Sequence, residues 1–295
     1  MTQRSARRFP DGGAFRLEIP SVEGPAPLRA VLEEADRYNV TIHRVSQGSG
    51  VAMLDDDQIA DMLDQCAAAE VELCLFLGPR GTWDVGAGAG APGAATGARV
   101  RGADQLRYSV DDAKRACDLG VRCLLVADEG VLWTLHTLRS KGELPPELLL
   151  KMSAITGPAN PASFAVVAAL GADSVNVPGD LTIEQLAELR RAAAAAIDFY
   201  VESPDGLGGF VRHHEAPEIV SAAAPVYLKF GLRNAPEIYP TGVHLETVAV
   251  ASARERVRRA HLAVELLRRR ELLSEMSPKG AVGAGPLPRF TEVGA

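Results

Sequence analysis

The sequence predicts a single-domain α/β fold, a (β/α)8 or TIM barrel, on three observations. Eight short runs with strand character recur along the chain, amphipathic stretches with helical periodicity separate them, and several of those stretches stop at a glycine. The runs are FRLEIP from Phe15, VTIHRV from Val40, VELCLFLG from Val71 and VRCLLVAD from Val121. LLLKMSAI from Leu148, ADSVNVP from Ala172, IDFYVES from Ile197 and PVYLKFG from Pro225 complete the set. Their spacing of about 25 to 30 residues, each interval holding a helix, is what a closed barrel of parallel strands requires. A doubly wound open sheet is the competing architecture, but it has no need of eight evenly spaced strands.

The helical stretches include PLRAVLEEADRYN, DDQIADMLDQCAAAE, SVDDAKRACDLG and TIEQLAELRRAAAAA. The recurring DLG and ALG before the next strand mark helix ends, where glycine adopts the left-handed conformation. One interval is longer and carries a Gly/Ala-rich tract, residues 84–104, too poor in large side chains to pack. It lacks the Lys-Ser/Thr of a phosphate-binding loop and is expected to lie over the barrel mouth. Residues 1–13 are expected to be flexible, 14–275 to form the barrel, and 276–295 to be a loose tail. The last helix, SARERVRRAHLAVELLRRREL, carries seven arginines, expected on its solvated face.

Of the 295 residues, 47% are hydrophobic and only 5% aromatic, enough for a large core of Ala, Val and Leu. A formal charge of −7 argues against general nucleic-acid binding. Cys66, Cys74, Cys117 and Cys123 form no CxxC pair and read as small hydrophobes. With no signal peptide and no apolar span of about 18 residues, a cytoplasmic location is expected and a membrane is not. The expected partner is a small-molecule substrate, and a homo-oligomer is compatible with the composition.

Side chains alternate along a strand, so the polar side of each run faces the barrel interior if the apolar side meets the helices. This places Lys229 in a lumen with Glu202, Glu18, His43, Asn176 and Lys151, near the strand ends where such barrels hold active sites. Charges gathered on several strands are costly to bury and point to a site rather than to stability. Loops at the same end offer Gly231, Arg233 and Asn234 in GLRNA, Asp205 in ESPDGLGG, and Gln47 in VSQGSG. Arg233 is the expected clamp for a carboxylate or phosphate. The sequence leaves the cofactor unknown. A divalent metal is the one candidate, with Glu18, His43, Asp128 and Glu202 as an oxygen-and-imidazole ligand set. RHHEAPE lacks the second histidine of a zinc protease.

The segments FRLEIPSVEGP, HRVSQGSGV, YVESPDGLGGFVRHHEAPEIV and APVYLKFGLRNAPEIYPTG resemble actinobacterial proteins of the collagenase-like peptidase family U32, over most of residues 14–270. The resemblance implies a TIM barrel, and the family name implies peptide hydrolysis. Other members are iron–sulfur enzymes that hydroxylate RNA or quinone precursors with cysteines late in the chain. No cysteine follows Cys123, so this sequence departs from that pattern and no iron–sulfur cluster is expected.

Together these readings predict a barrel enzyme acting on a small, polar, anionic metabolite by carbonyl or enolate chemistry of the lyase or isomerase type. Lys229 would form an imine or stabilise an oxyanion. Glu202 would be the general acid/base, assisted by His43 or Lys151. Arg233, Asn234 and Asn176 would hold the substrate. The alternatives are a peptidase-like hydrolase and a non-catalytic ligand-binding barrel or partner subunit.

Overall fold

Each of the eight expected runs overlaps a strand. A computed structural model describes residues 4–78 and 99–283. The strands are β1 (Phe15–Pro20), β2 (Arg44–Ser46), β3 (Glu72–Leu77), β4 (Cys123–Val126), β5 (Leu149–Met152), β6 (Ser174–Asn176), β7 (Ala196–Glu202) and β8 (Val226–Phe230). They alternate with α1 (Pro25–Tyr38), α2 (Asp56–Ala69), α3 (Gly102–Leu119), α4 (Glu129–Ser140), α5 (Pro161–Ala169), α6 (Ile183–Ala192), α7 (Ala216–Ala223) and α8 (Glu246–Arg269). Consecutive strands pair in parallel, and β1 also pairs with β8 through Arg16↔Tyr227 and Glu18↔Lys229, so the sheet is a closed barrel. That pairing excludes the open sheet.

Local signals set the helix ends. Asp55 with Gln58, Asn160 with Ser163, and Thr182 with Gln185 form capping boxes that satisfy backbone donors at the starts of α2, α5 and α6. Gly171, in the expected ALG stop, has φ +108°, and a Cβ there would stand 2.2 Å from the His136 ring. No helix among the described residues is long and apolar enough to cross a membrane. The Gly/Ala-rich tract expected over the mouth falls largely on residues 79–98, outside the described residues; its last part, Gly102–Asp104, already belongs to α3.

The main hydrophobic core lies between the sheet and the helices, where Leu17, Ile19, Val45, Leu75, Leu124, Leu150, Val175, Phe199 and Leu228 are buried. Strand register sends the opposite parity inward: Arg16 and Glu18 of β1, Arg44 and Ser46 of β2, Lys151 of β5, Ser174 and Asn176 of β6, Asp198 and Tyr200 of β7, Tyr227 and Lys229 of β8.

The floor of this interior corrects the expectation for both chain ends. Arg16 sits 4.1 Å from the Phe9 ring centroid and 5.7 Å from that of Tyr227, whose ring Arg44 approaches at 3.7 Å. Arg16 also bonds Tyr227 Oη at 2.9 Å, Ser277 Oγ at 3.1 Å, Asp11 at 2.7 Å and the Gly283 carbonyl at 2.7 Å. A buried guanidinium must find acceptors, and both chain ends supply them. Residues 4–13 are therefore not a flexible leader: Phe9 is buried and Ser5 bonds the Ala224 carbonyl. Nor is the tail loose at its start, since Met276 bridges Phe15 and Ser277 is buried. Ending the chain at Met276 is expected to lower the unfolding free energy by about 2 to 4 kcal/mol, the scale of lost bonds to a buried charge. Denaturant titration of the full and shortened chains measures it.

Candidate active site

At mid-height the lumen holds a cluster of charged side chains with almost no exposure. Glu18 is its hub. It accepts hydrogen bonds from Ser46 Oγ at 2.6 Å and from Lys151 Nζ, and lies 3.5 Å from Arg44 Nη1 and 3.4 Å from Lys229 Nζ. Asp198 stands 3.2 Å from Arg44 Nη1 and 3.5 Å from Lys151 Nζ, and its Oδ2 has no hydrogen-bond partner. Arg44 also pairs with Glu72 through Nε. Lys229 donates to Asn176 Oδ1, its Nζ lies 4.3 Å from the Tyr200 ring centroid, and Asn176 anchors itself by donating to the Met152 carbonyl at 2.7 Å.

Burial and neighbours act differently on each member. Burial works to raise the Glu18 carboxyl, but Lys151, Lys229 and Arg44 overcome it and hold the group far below the usual carboxylate range. Burial pushes Asp198 up, and the nearby cations do not fully reverse it. For Lys151 burial works downward, yet Asp198 and Glu18 raise the ammonium above its ordinary value. Lys229 differs: burial dominates, Glu18 only partly offsets it, Lys151 adds like-charge repulsion, and the amine falls to about 8. The Lys229 side chain keeps 4% exposure while that of Lys151 has none, so Lys229 is the lysine nearer the opening. Burial also raises the Tyr200 phenol, which stays protonated beside it.

The sequence-predicted residues divide. Lys229, Lys151, Glu18 and Asn176 come together in this cluster. Glu202 does not join it. A bulge between Tyr200 and Glu202 shifts the register, so Glu202 pairs with Phe230, whose side chain packs in the outer core. Its carboxylate instead meets His213 Nε2 at 3.1 Å, the Arg233 N–H at 3.1 Å and Arg259 at 3.4 Å. His43 also leaves the lumen, because β2 starts one residue later, at Arg44. Its Nδ1 accepts the Leu17 N–H at 3.1 Å, its Nε2 donates to the Ser277 carbonyl at 2.9 Å, and burial pushes the ring down to about 4.

Arg233 and Asp205, expected at the substrate, are exposed and paired with each other at 2.9 Å, and Asp205 also accepts the Asn234 N–H. Gln47 spends both ends of its amide on Gly50, at 3.1 Å each. Gly231 serves the close approach of the β7 and β8 loops: a Cβ there would lie 2.8 Å from Pro204 Cδ. Asp128 caps α4 by accepting the N–H groups of Gly130 and Val131 at 2.8 and 3.0 Å. The four proposed metal ligands are thus placed apart, and among the described residues no group of three or more His, Cys, Asp or Glu is arranged to hold a metal.

Arg44, Ser46, Asp198 and Tyr200 complete the cluster beyond the site residues expected from the sequence. Asp198 and Tyr200 share parity in IDFYVES, a legible signal. Arg44 was hidden by the start of β2.

No family model matches the chain, and no match to a curated protein was found. Among solved structures the chain is similar to the YdjI aldolase of Escherichia coli K12, with 15% identity over 91% of this chain and 94% of that one and a TM-score of 0.51. The U32 peptidase Mk0906 aligns with 16% identity over 77% of this chain and 95% of that one, at a TM-score of 0.47. At 15% identity the likeness to the YdjI aldolase shows the barrel fold alone.

Removing the neighbouring ammonium by Lys151→Met is expected to move the Lys229 midpoint above about 8, because it takes away repulsion and leaves Glu18 less shared. Glu202→Gln is expected to leave that midpoint in place. The pH dependence of Lys229 acetylation, followed by mass spectrometry, reads both.

Proposed function

We propose that this barrel is a lyase- or isomerase-type enzyme that activates a small polar carbonyl compound through Lys229. The observation that carries the reading is the amine itself: buried, lowered to about 8, and the more exposed of the two lysines around one carboxylate. At pH 7 about a tenth of such amines are neutral and nucleophilic, several hundred times the share of an ordinary lysine.

Neutral Lys229 Nζ attacks the carbonyl carbon. The amine proton moves to the former carbonyl oxygen, one further proton is taken up from solvent, and that oxygen leaves as water. The product is a protonated imine, which draws electrons from an adjacent C–C or C–H bond and becomes an enamine as that bond breaks. Ionised Glu18, 3.4 Å from Nζ, lies where the iminium charge forms. Burial, with the repulsion of Lys151 added to it, keeps the amine's affinity for a proton low. Asn176 holds the direction of Nζ, and the face of the Tyr200 ring lies 4.3 Å from it. Carbon–carbon bond chemistry at a carbonyl is also what the name of the YdjI aldolase describes for that protein. The hydrolase alternative drew on the resemblance of segments to family U32, and the buried amine–carboxylate cluster favours the carbonyl reading over it.

Borohydride added with dihydroxyacetone, pyruvate or acetaldehyde is expected to fix one of them on Lys229, detected by peptide mass. The adduct should vanish in Lys229→Met. Its rate of formation should rise about tenfold per pH unit below about 8 and level off above it, since only the unprotonated amine reacts. A panel of carbonyl compounds that leaves Lys229 unmodified would rule the imine out.

A further inference from the structure

Arg256 stands on α8 in the stripe of buried residues formed by Ala249, Ser252, Ala253, Val257 and Ala260. It is 4% exposed. Its one hydrogen bond runs from Nη1 to the carbonyl of Ser21, at 3.2 Å, just past the end of β1. Its Nε has no partner, and it forms no ion pair among the described residues. The contrast within the same helix is sharp: Arg254, Arg258, Arg259 and Arg268 each meet a glutamate.

The ionisable groups acting on Arg256 are Tyr239, Glu23 and Tyr200, residues of the C-terminal mouth. Glu23 is the carboxylate among them, and it is committed to the N–H groups of Gly48 at 2.8 Å and Ser49 at 2.9 Å. Tyr200 is the shared neighbour of two cations, since Lys229 Nζ lies 4.3 Å from its ring and Arg256 acts on its phenol. A buried guanidinium with no carboxylate in direct contact is costly, and burial lowers its proton affinity even though Glu23 acts on it from beyond ion-pair distance. A planar carboxylate is the group that a guanidinium fork takes in bidentate fashion.

We propose that Arg256 receives a carboxylate of the substrate, so that the compound engaged by Lys229 is a small oxo acid. This inference rests on the carbonyl reading above and names its substrate class. It moves the anion clamp from Arg233, which Asp205 already neutralises at the surface, to an unpaired cation in the interior.

The test compares pyruvate, 2-oxobutyrate and 2-oxoglutarate with neutral dihydroxyacetone. Affinities for the oxo acids are measured by calorimetry, and adducts on Lys229 by borohydride trapping. Arg256→Gln is expected to weaken the binding of at least one oxo acid by about 10- to 100-fold, the range for a lost charged hydrogen-bond pair. Trapping of dihydroxyacetone should remain. Should Arg256→Gln not fold, Arg256→Lys decides by the same comparison, with a loss of about tenfold expected from the missing fork. Unchanged oxo-acid affinity, an equal loss for the neutral probe, or no oxo-acid binding by the unaltered protein overturns the proposal. Oxo-acid binding that depends on Arg256 and survives in Lys229→Met, with no probe trapped by the unaltered protein, would refute the imine and retain Arg256.

Discussion

The structure depends on one buried carboxylate, Glu18, that three cations share at the centre of the barrel. Arg44, Lys151 and Lys229 reach it from β2, β5 and β8, so a single side chain ties together strands far apart in sequence. Barrels of this architecture ordinarily fill their interior with layers of branched apolar residues. Here the layer is ionic, and its charges are satisfied chiefly by one another because the cluster is almost wholly buried. Two further carboxyl groups complete the layer, Glu72 against Arg44 and Asp198 against both Arg44 and Lys151. Removing one partner would strand the others, which makes the lumen a coupled unit rather than a set of independent contacts.

The two ends of that lumen are treated in opposite ways. At the floor, Arg16 is stacked against aromatic rings and bonded by Asp11, Tyr227, Ser277 and Gly283, and His43 is locked between two backbone groups. At the mouth, Arg256 has one hydrogen bond and an unpartnered Nε, and Lys229 holds its proton weakly. The floor reads as structural because its charges are fully used. The mouth retains unspent hydrogen-bonding and proton-transfer capacity, which is what a binding site requires before its ligand arrives.

Much of this was legible in the sequence. Strand spacing and glycine stops were enough for the closed barrel, and alternation in LLLKMS, ADSVNVP and PVYLKFG was enough to send Lys151, Asn176 and Lys229 inward. What failed did so for local reasons that alternation does not carry. The left-handed Asn39 and the bond from Val40 N to Ala35 O hold residues up to Ile42 in the exit from α1, so the parity of β2 begins at Arg44 rather than at His43. The bulge in β7 turns Glu202 outward after a regular run of inward polar residues. Arg256 was masked by its arginine-rich surroundings, although its place between Ala253 and Ala260 at helical spacing already put it on the buried stripe.

The difference between the two lysines argues that the cluster is more than filling. They share Glu18, yet Lys151 gains proton affinity on folding and Lys229 loses it. A fall from 10.5 to about 8 corresponds to about 3 kcal/mol by which folding disfavours the charged Lys229. Because the unfolded chain holds that proton to a higher pH, this penalty is fully present below about 8 and fades as the pH rises from there toward 10.5. At neutral pH the native barrel therefore bears a strain that an apolar residue of similar length would not impose. Asp198 carries a strain of the same kind, being raised by burial with one oxygen unpartnered. Two destabilised ionisable groups on neighbouring strands, one an amine nearer the opening and one a carboxyl beneath it, are difficult to explain by packing. Perturbed groups of this kind gather where protons are exchanged, which is the ground on which the carbonyl chemistry is proposed.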